Sequence, residues 1–294
     1  MSQTLTDAPQ VDLLGSYWTI AGNAIPHTGP EYSSFDFRDR VEALAGAGFK
    51  GLGIWHADLE HSLESYTLPE MRAILDDNGI DFVELEFIQD WFVDGEEKEA
   101  SDVRKAMLLE ASAALGAHHV KVGDFFRKVT PMPKLIDSFA ALCEDAAQFD
   151  AVIGFELMPG AMIETLEESM DMVEGANAPN GGIILDLWHV VKLGIPYARA
   201  AAIPAHRLVH VELNDGYLVR PEGMDFVTEV TEHRAFCGEG EFDVRGFVEA
   251  MWNGGYRGPW GIEVLWIELR QWPLDRIVTH ARETTLSHFR GLSA

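Results

Sequence analysis

Stretches with the composition of buried β-strands alternate with stretches of helical periodicity along the whole 294-residue chain. The strand candidates are short apolar runs at residues 13–20, 51–55, 82–87, 119–123, 152–157, 183–187, 208–213 and 260–265. Each is followed by a helix candidate, and these lie at residues 35–47, 68–77, 103–115, 133–149, 162–173, 197–202, 244–252 and 272–289. Eight units averaging about 37 residues match the size of βα repeats. The pattern predicts an α/β fold, a (β/α)8 barrel with eight parallel strands.

The competing architecture is an open, doubly wound parallel sheet. Such a sheet would place a glycine-rich phosphate-binding turn after an early strand. The sequence has neither GxGxxG nor GxxxxGK followed by Ser or Thr, and the acids around Gly238 and Gly240 would repel a phosphate. No linker-like run of Pro, Ser and Gly divides the chain either. Residues 1–294 are therefore interpreted as one domain.

The charge balance limits the classes of partner. The chain has 22 Lys and Arg against 48 Asp and Glu, which gives a formal net charge of -26. Nucleic acids and anionic membrane surfaces are bound through clustered basic residues, so both are disfavoured as partners. We expect a small-molecule carbohydrate as the partner, and the sequence leaves a homo-oligomer open.

Cysteine content and targeting signals indicate the compartment. Cys143 and Cys237 are too few for a disulfide framework and lack metal-site spacing, which favours a reducing environment. The first ten residues do not resemble a secretory leader, and no run approaches the 18 apolar residues of a membrane span. We expect a cytoplasmic protein.

Acidic residues stand at the ends of four consecutive predicted strands. They are Glu156, Asp186, Glu212 and Glu263. Since the carboxyl ends of barrel strands form the active-site face, these carboxylates are expected to converge there. Crowded anions repel at low dielectric, and an oxygen-only set selects Mn2+, Mg2+ or another hard cation. The alternative is that each acid pairs with a Lys or Arg. Basic residues are scarce near the four in the sequence, which favours the metal.

Two histidines accompany these acids. His189 follows Asp186 by three residues and is a candidate to bind a substrate hydroxyl or to carry a proton. His210 shares its strand parity with Glu212 and is an alternative strand-seven ligand, although Glu212 is nearer the carboxyl end. The alternative for His189 is a loop histidine whose hydrogen bonds are satisfied within the protein.

Other candidate substrate-binding residues lie at predicted strand ends or in a long loop. Arg234 could reach over the mouth to an anionic substrate group, and its alternative is an exposed loop arginine. His56 and Glu86 end the second and third strand candidates and could contact hydroxyl groups. Four tryptophans near strand ends could stack on a sugar face, although most are expected in the core: Trp18, Trp55, Trp91 and Trp188.

Five motifs carry a family resemblance across essentially the whole chain. FELMP, ILDLWH, VELND, GEGEFD and GIEVL, in that order and spacing, resemble the sugar phosphate isomerase/epimerase superfamily, the xylose isomerase-like TIM barrels. The resemblance implies a Mn2+, Mg2+ or Co2+ ion held by Glu156, Asp186 and Glu263, with substrate contact by His189. It also implies a His or Gln at strand seven, where this chain has Glu212. The branch that looks closest includes dehydratases of cyclic keto acids and uncharacterised sugar isomerases.

These residues support more than one reaction. The leading hypothesis is a metal-dependent isomerase or epimerase of a keto sugar or related polyol, in which Glu156 and Glu263 exchange a proton next to a carbonyl through an enediolate. The alternative is a lyase or dehydratase of a keto-cyclitol, keto-glycoside or dehydroshikimate-like compound, in which His189 protonates the leaving group. A third hypothesis is a non-catalytic or partner-dependent barrel subunit. The family's abasic-DNA nuclease branch is disfavoured by the net charge.

Overall fold

The strands of the computed structural model form one closed barrel within residues 9–125 and 127–293, the part of the chain that the structure describes. The eight parallel strands pair in chain order, and β1 pairs with β8. The strands are β1 (Leu13–Gly15), β2 (Gly51–Trp55), β3 (Phe82–Ile88), β4 (His119–Val122), β5 (Ile153–Glu156), β6 (Gly181–Asp186), β7 (Leu208–Leu213) and β8 (Trp260–Ile262). The predicted barrel is confirmed. The prediction that the first ten residues are not a secretory leader falls largely on residues 1–8, which lie outside the described residues.

Helices surround the strands. They are α1 (Phe37–Gly46), α2 (His56–Ser62), α3 (Leu68–Asp77), α4 (Glu96–Leu115), α5 (Met132–Ala147), α6 (Leu166–Ala176), α7 (Leu187–Lys192), α8 (Tyr197–Ala200), α9 (Phe226–Glu232), α10 (Val244–Asn253) and α11 (Leu274–Ser287). In the described ranges, none is both long and apolar enough to cross a bilayer.

Helix α4 begins before the predicted residue 103. Its first turn contains Glu96, Glu97 and Glu99, which interact favourably with the positive end of the helix dipole. An apolar periodicity cannot reveal a polar, exposed first turn. The short helices α2, α7 and α9 were also not predicted, because they lie within the loops that follow strands.

Strand residues alternate between an apolar outer layer and a polar barrel interior. In β4, Val120 and Val122 pack in the main apolar core, whereas His119 and Lys121 contact carboxylates inside the barrel. The pairing register of β6 with β7 places Asp186 opposite Glu212. Parallel strands in register thus bring their last inward-facing side chains to one level at the carboxyl ends.

Gly182 lies where β6 packs closely against the chain before β7. A Cβ atom built at Gly182 would lie 2.4 Å from the backbone oxygen of Arg207, which cannot move without disturbing the pairing of β6 with β7. We expect Gly182→Ala to destabilise the fold by about 1–3 kcal/mol through overpacking. Urea unfolding followed by circular dichroism measures this loss.

Gly46→Ala is the matched control, because a Cβ atom there meets nothing within 4 Å and Ala is the better helix former. Equal unfolding midpoints for the two variants would contradict the steric argument.

Candidate metal centre and active site

Four carboxylates meet at the carboxyl end of the barrel. Glu156 and Asp186 end β5 and β6, Glu212 lies in β7, and Glu263 directly follows β8. Ligand oxygens of all four lie within 4.8 Å of one another, and each side chain is buried. The structure therefore brings together the four acids that were predicted as metal ligands.

Asp186 is fixed on both carboxylate oxygens. Oδ1 accepts hydrogen bonds from the backbone amides of Trp188 at 2.6 Å and His189 at 3.2 Å, which caps helix α7. Oδ2 accepts from Asn214 Nδ2 and Arg234 Nη1, both at 2.9 Å. Burial opposes ionisation of Asp186, but the charge of Arg234 outweighs it and lowers the pKa. Asp186 is thus a preoriented carboxylate.

Lys121 is the central cation of the site and was missed in the sequence. Its Nζ donates to the two oxygens of Glu212 at 2.8 and 3.0 Å and lies 3.4 Å from both Glu263 Oε1 and Glu86 Oε2. Burial would lower the pKa of Lys121, but the surrounding carboxylates raise it well above its ordinary value. The expectation that basic residues are scarce around the acids is therefore wrong.

Arg234 lies inside this cluster. Its Nη1 donates to Glu263 Oε2 at 2.7 Å as well as to Asp186, and only 4% of the residue is exposed. Its guanidinium also lies 5.3 Å from the ring centre of Trp188. The alternative of an exposed loop arginine is wrong: residues near it pair antiparallel, His233 with Trp266 and Asp215 with Ala235, which folds the loop inward.

His189 is placed beside Glu156. Its Nε2 lies 3.3 Å from Glu156 Oε1, while its buried Nδ1 has no hydrogen-bond partner in the described structure. Burial would raise the pKa of Glu156, but Lys121 and His189 outweigh it and lower that pKa. The ring of His189 can therefore hold a proton between Nε2 and Glu156 and can offer Nδ1 to a bound molecule.

The cluster contains more negative than positive charge. Its six buried carboxylates face two cations, Lys121 and Arg234, which leaves four negative charges when all are ionised; the acids are Glu84, Glu86, Glu156, Asp186, Glu212 and Glu263. Burial raises the pKa of Glu86 and of Glu263 to about 8 and the pKa of Glu212 well above its ordinary value. This oxygen donor set fits a divalent ion, whose charge would favour the ionised form of the acids whose pKa burial raises.

A cavity opens above the carboxylates. Of the predicted site residues, its lining includes Glu86, Glu156, His189, Arg234 and Glu263. Its walls also contain the aromatic residues Trp18, Trp55, Phe87, Phe125 and Phe226.

Three predicted site residues are outside this lining. Asp186 and Glu212 lie beneath it, buried in the hydrogen-bond network described above. His56 opens α2, where burial and the charge of Arg104 lower its pKa to about 3. Its substrate-binding role stays a prediction.

Comparisons with known proteins agree with this architecture. Two curated 3-dehydroshikimate dehydratases, from Pseudomonas aeruginosa and Pseudomonas putida, are 29% and 26% identical to this chain over 230 residues. The matches cover 77% of this chain but only 36% and 35% of those proteins, so the chain spans about a third of their length. A crystal structure of the IOLI protein with a bound zinc atom superposes with a TM-score of 0.79 at 17% identity, covering 95% of this chain and 98% of that one.

The model of the xylose isomerase-like TIM barrel family matches residues 41–284. This range contains β2 to β8 and all four carboxylates of the candidate metal centre. The chain belongs to the xylose isomerase-like TIM barrel family.

Proposed function

We propose that the chain is a divalent-metal-dependent lyase, a dehydratase of a cyclic keto compound such as a keto-cyclitol, a keto-glycoside or a dehydroshikimate-like acid. One observation carries the proposal: Glu156, Asp186 and Glu263 converge beside His189 under a cavity with aromatic walls. The two dehydratase relatives support the reaction type over the leading isomerase hypothesis.

Glu156, Asp186 and Glu263 would hold the ion. Glu212 is the fourth candidate, but Lys121 donates to both of its oxygens. Mn2+ is the expected ion, with Mg2+ and Co2+ as alternatives for the same oxygen set. When bound, it supplies a Lewis acid that stabilises negative charge developing on the substrate carbonyl oxygen.

The chain's own residues move the protons. Glu156 or Glu263, both at the cavity floor, removes a proton from the carbon next to the carbonyl, and the C–H electrons form a carbon–carbon double bond as the enediolate develops. The carbonyl then re-forms, the carbon–carbon double bond shifts to lie between the α and β carbons, and the C–O bond at the β carbon breaks. His189 donates a proton to the departing hydroxyl, which leaves as water.

The cavity walls orient a ring-shaped substrate. Trp18, Trp55 and Phe87 offer aromatic faces on which the apolar face of a cyclic substrate can stack. Glu86, His189 and Arg234 are the polar groups that would contact its oxygens. Arg234 already pairs with Asp186 and Glu263. We therefore expect a bound ion to compete with Arg234 for these carboxylates, and an anionic substrate group to compete with the carboxylates for Arg234.

The experiment is a reconstitution assay. Chain stripped with a chelator is reloaded with Mn2+, Mg2+ or Co2+ and incubated in heavy water with 3-dehydroshikimate, a keto-cyclitol and a keto-glycoside. We expect ion-dependent loss of water or of the aglycone, which mass spectrometry of the products detects. Failure of every ion to give elimination would contradict the lyase proposal.

An isomerase or epimerase is the second candidate, because Glu156 and Glu263 both line the cavity and could deliver and remove protons at one carbon. Products that retain every oxygen but gain deuterium would support it. Binding of Mn2+ without any exchange of a substrate C–H proton would support a non-catalytic or partner-dependent barrel.

A further inference from the structure

A second group of metal-ligating side chains lies deeper in the barrel. Glu84 of β3, His119 of β4 and His210 of β7 are each fully buried, and one ligand atom from each lies within 4.8 Å of the others. Each precedes by two residues an inward-facing residue of the upper cluster, namely Glu86, Lys121 and Glu212. The group therefore forms the next layer of the barrel interior toward the amino ends of the strands.

The ligand atoms of the three side chains lie close to one another. His119 Nε2 lies 2.8 Å and His210 Nε2 lies 3.8 Å from Glu84 Oε2. Neither ring nitrogen of His210 has a hydrogen-bond partner among the described residues. Buried polar atoms without partners are rare in native proteins and costly, and here they are ring nitrogens that can ligate a metal ion.

The chemistry of this group differs from that of the carboxylates above it. Two imidazoles and one carboxylate are a donor set that Zn2+ accepts, whereas the upper oxygen-only set suits harder ions. His118 supports the arrangement, since its Nδ1 lies 2.9 Å from His119 Nδ1 and orients that ring with Nε2 toward Glu84.

Glu84 shares its nearest Lys or Arg partner in the described structure with the upper layer. Lys121 Nζ lies 3.6 Å from Glu84 Oε2 but 2.8 Å from Glu212 Oε1, so its closest contact is with the upper layer.

A second cavity lies at the opposite end of the barrel from the mouth. A cavity of about 240 Å3 there is lined by His118, Leu208, Val209 and Tyr256. His118 therefore lies between this cavity and His119.

We propose that Glu84, His119 and His210 form a second metal site, of the zinc type, which ties β3, β4 and β7 together inside the barrel. This site is independent of the proposed reaction, because its ligands lie outside the lining of the mouth cavity.

Metal stoichiometry tests the proposal. Stripped chain is reloaded with Mn2+ and Zn2+ together and dialysed, and its total metal is measured by inductively coupled plasma mass spectrometry. We expect two equivalents in the native chain, one in the upper-site double variant Asp186→Asn with Glu263→Gln, and one in His210→Gln. His56→Gln is the matched control, a histidine outside both groups, and should retain two.

A second measurement uses a chain whose deep layer is intact. X-ray absorption of zinc in the upper-site double variant should show imidazole scattering from two ligands. Because this variant retains Glu84, His119 and His210, the test does not depend on the folding of His210→Gln. Retention of no zinc by the double variant, or zinc without histidine scattering, would overturn the second site and leave the proposed function untouched.

Discussion

Replacing Glu263 with glutamine is expected to abolish most turnover while the protein stays folded. The amide has the size of the carboxylate but cannot accept a proton from carbon, and general base catalysis typically contributes about 10²–10⁴-fold to rate. It also interacts more weakly with Lys121 and Arg234, which both contact the native carboxylate. The measurement is kcat for elimination with Mn2+, together with circular dichroism to check the fold.

Metal content separates the two ways in which this variant can fail. A variant that retains its upper ion but loses turnover has lost a proton acceptor, whereas one that loses the ion has lost a ligand. Glu268→Gln is the control, since Glu268 is exposed in the segment after β8 and should leave kcat unchanged. Near-normal turnover of Glu263→Gln with the ion bound would exclude Glu263 as the base.

The fold could be predicted from the sequence because the same pattern of strand and helix occurs eight times. Eight buried runs alternate with helical segments, and β2 and β7 have the bounds that the apolar runs predict. Strand ends were less accurate: the last predicted strand extended to residue 265, whereas β8 ends at Ile262. Glu263 and the residues after it lie beyond the last strand pairing of β8, at the carboxyl end of the barrel. The apolar composition of residues 260–265 does not indicate where the hydrogen bonding between strands ends.

The upper carboxylates were predictable and their cationic partners were not. Glu156 and Asp186 are the last residues of β5 and β6, so their position at the active-site end follows from chain order. Lys121 comes from a distant strand, and its contact with Glu212 depends on barrel closure. Arg234 depends on how a long loop folds back, which no local pattern encodes.

A usable signal for the deep layer was nevertheless present. Three strands contain an acid or base at alternate positions: Glu84-Leu-Glu86, His119-Val-Lys121 and His210-Val-Glu212. Period-two alternation indicates one polar and one apolar face, and in a closed barrel the polar face is the interior. Strand parity was used only for His210 and Glu212, so the inward position of Glu84 and His119 was not predicted.

Lys121→Met is expected to have the largest effect on stability, because it removes the cation at the centre of the buried acids. Breaking a buried ion pair by deleting one partner costs about 3–5 kcal/mol, since the remaining charge is left desolvated. Here Glu212 would lose its contacts at 2.8 and 3.0 Å, and Ser16 would be its remaining hydrogen-bond donor. Urea unfolding of stripped chain measures the loss.

The double variant Lys121→Met with Glu212→Gln identifies the responsible interaction. Removing both charges eliminates the stranded carboxylate, so we expect it to recover part of the stability lost in the single variant. Lys134→Met is the control, because Lys134 pairs with Asp94 at the surface, where such pairs contribute about 0–1 kcal/mol. Mn2+ should stabilise Lys121→Met more than it stabilises the native chain, since a divalent ion can compensate the same excess charge. If Lys121→Met unfolds at the urea concentration of the native chain, the buried acids do not depend on this lysine, and the charge argument for the divalent ions fails with it.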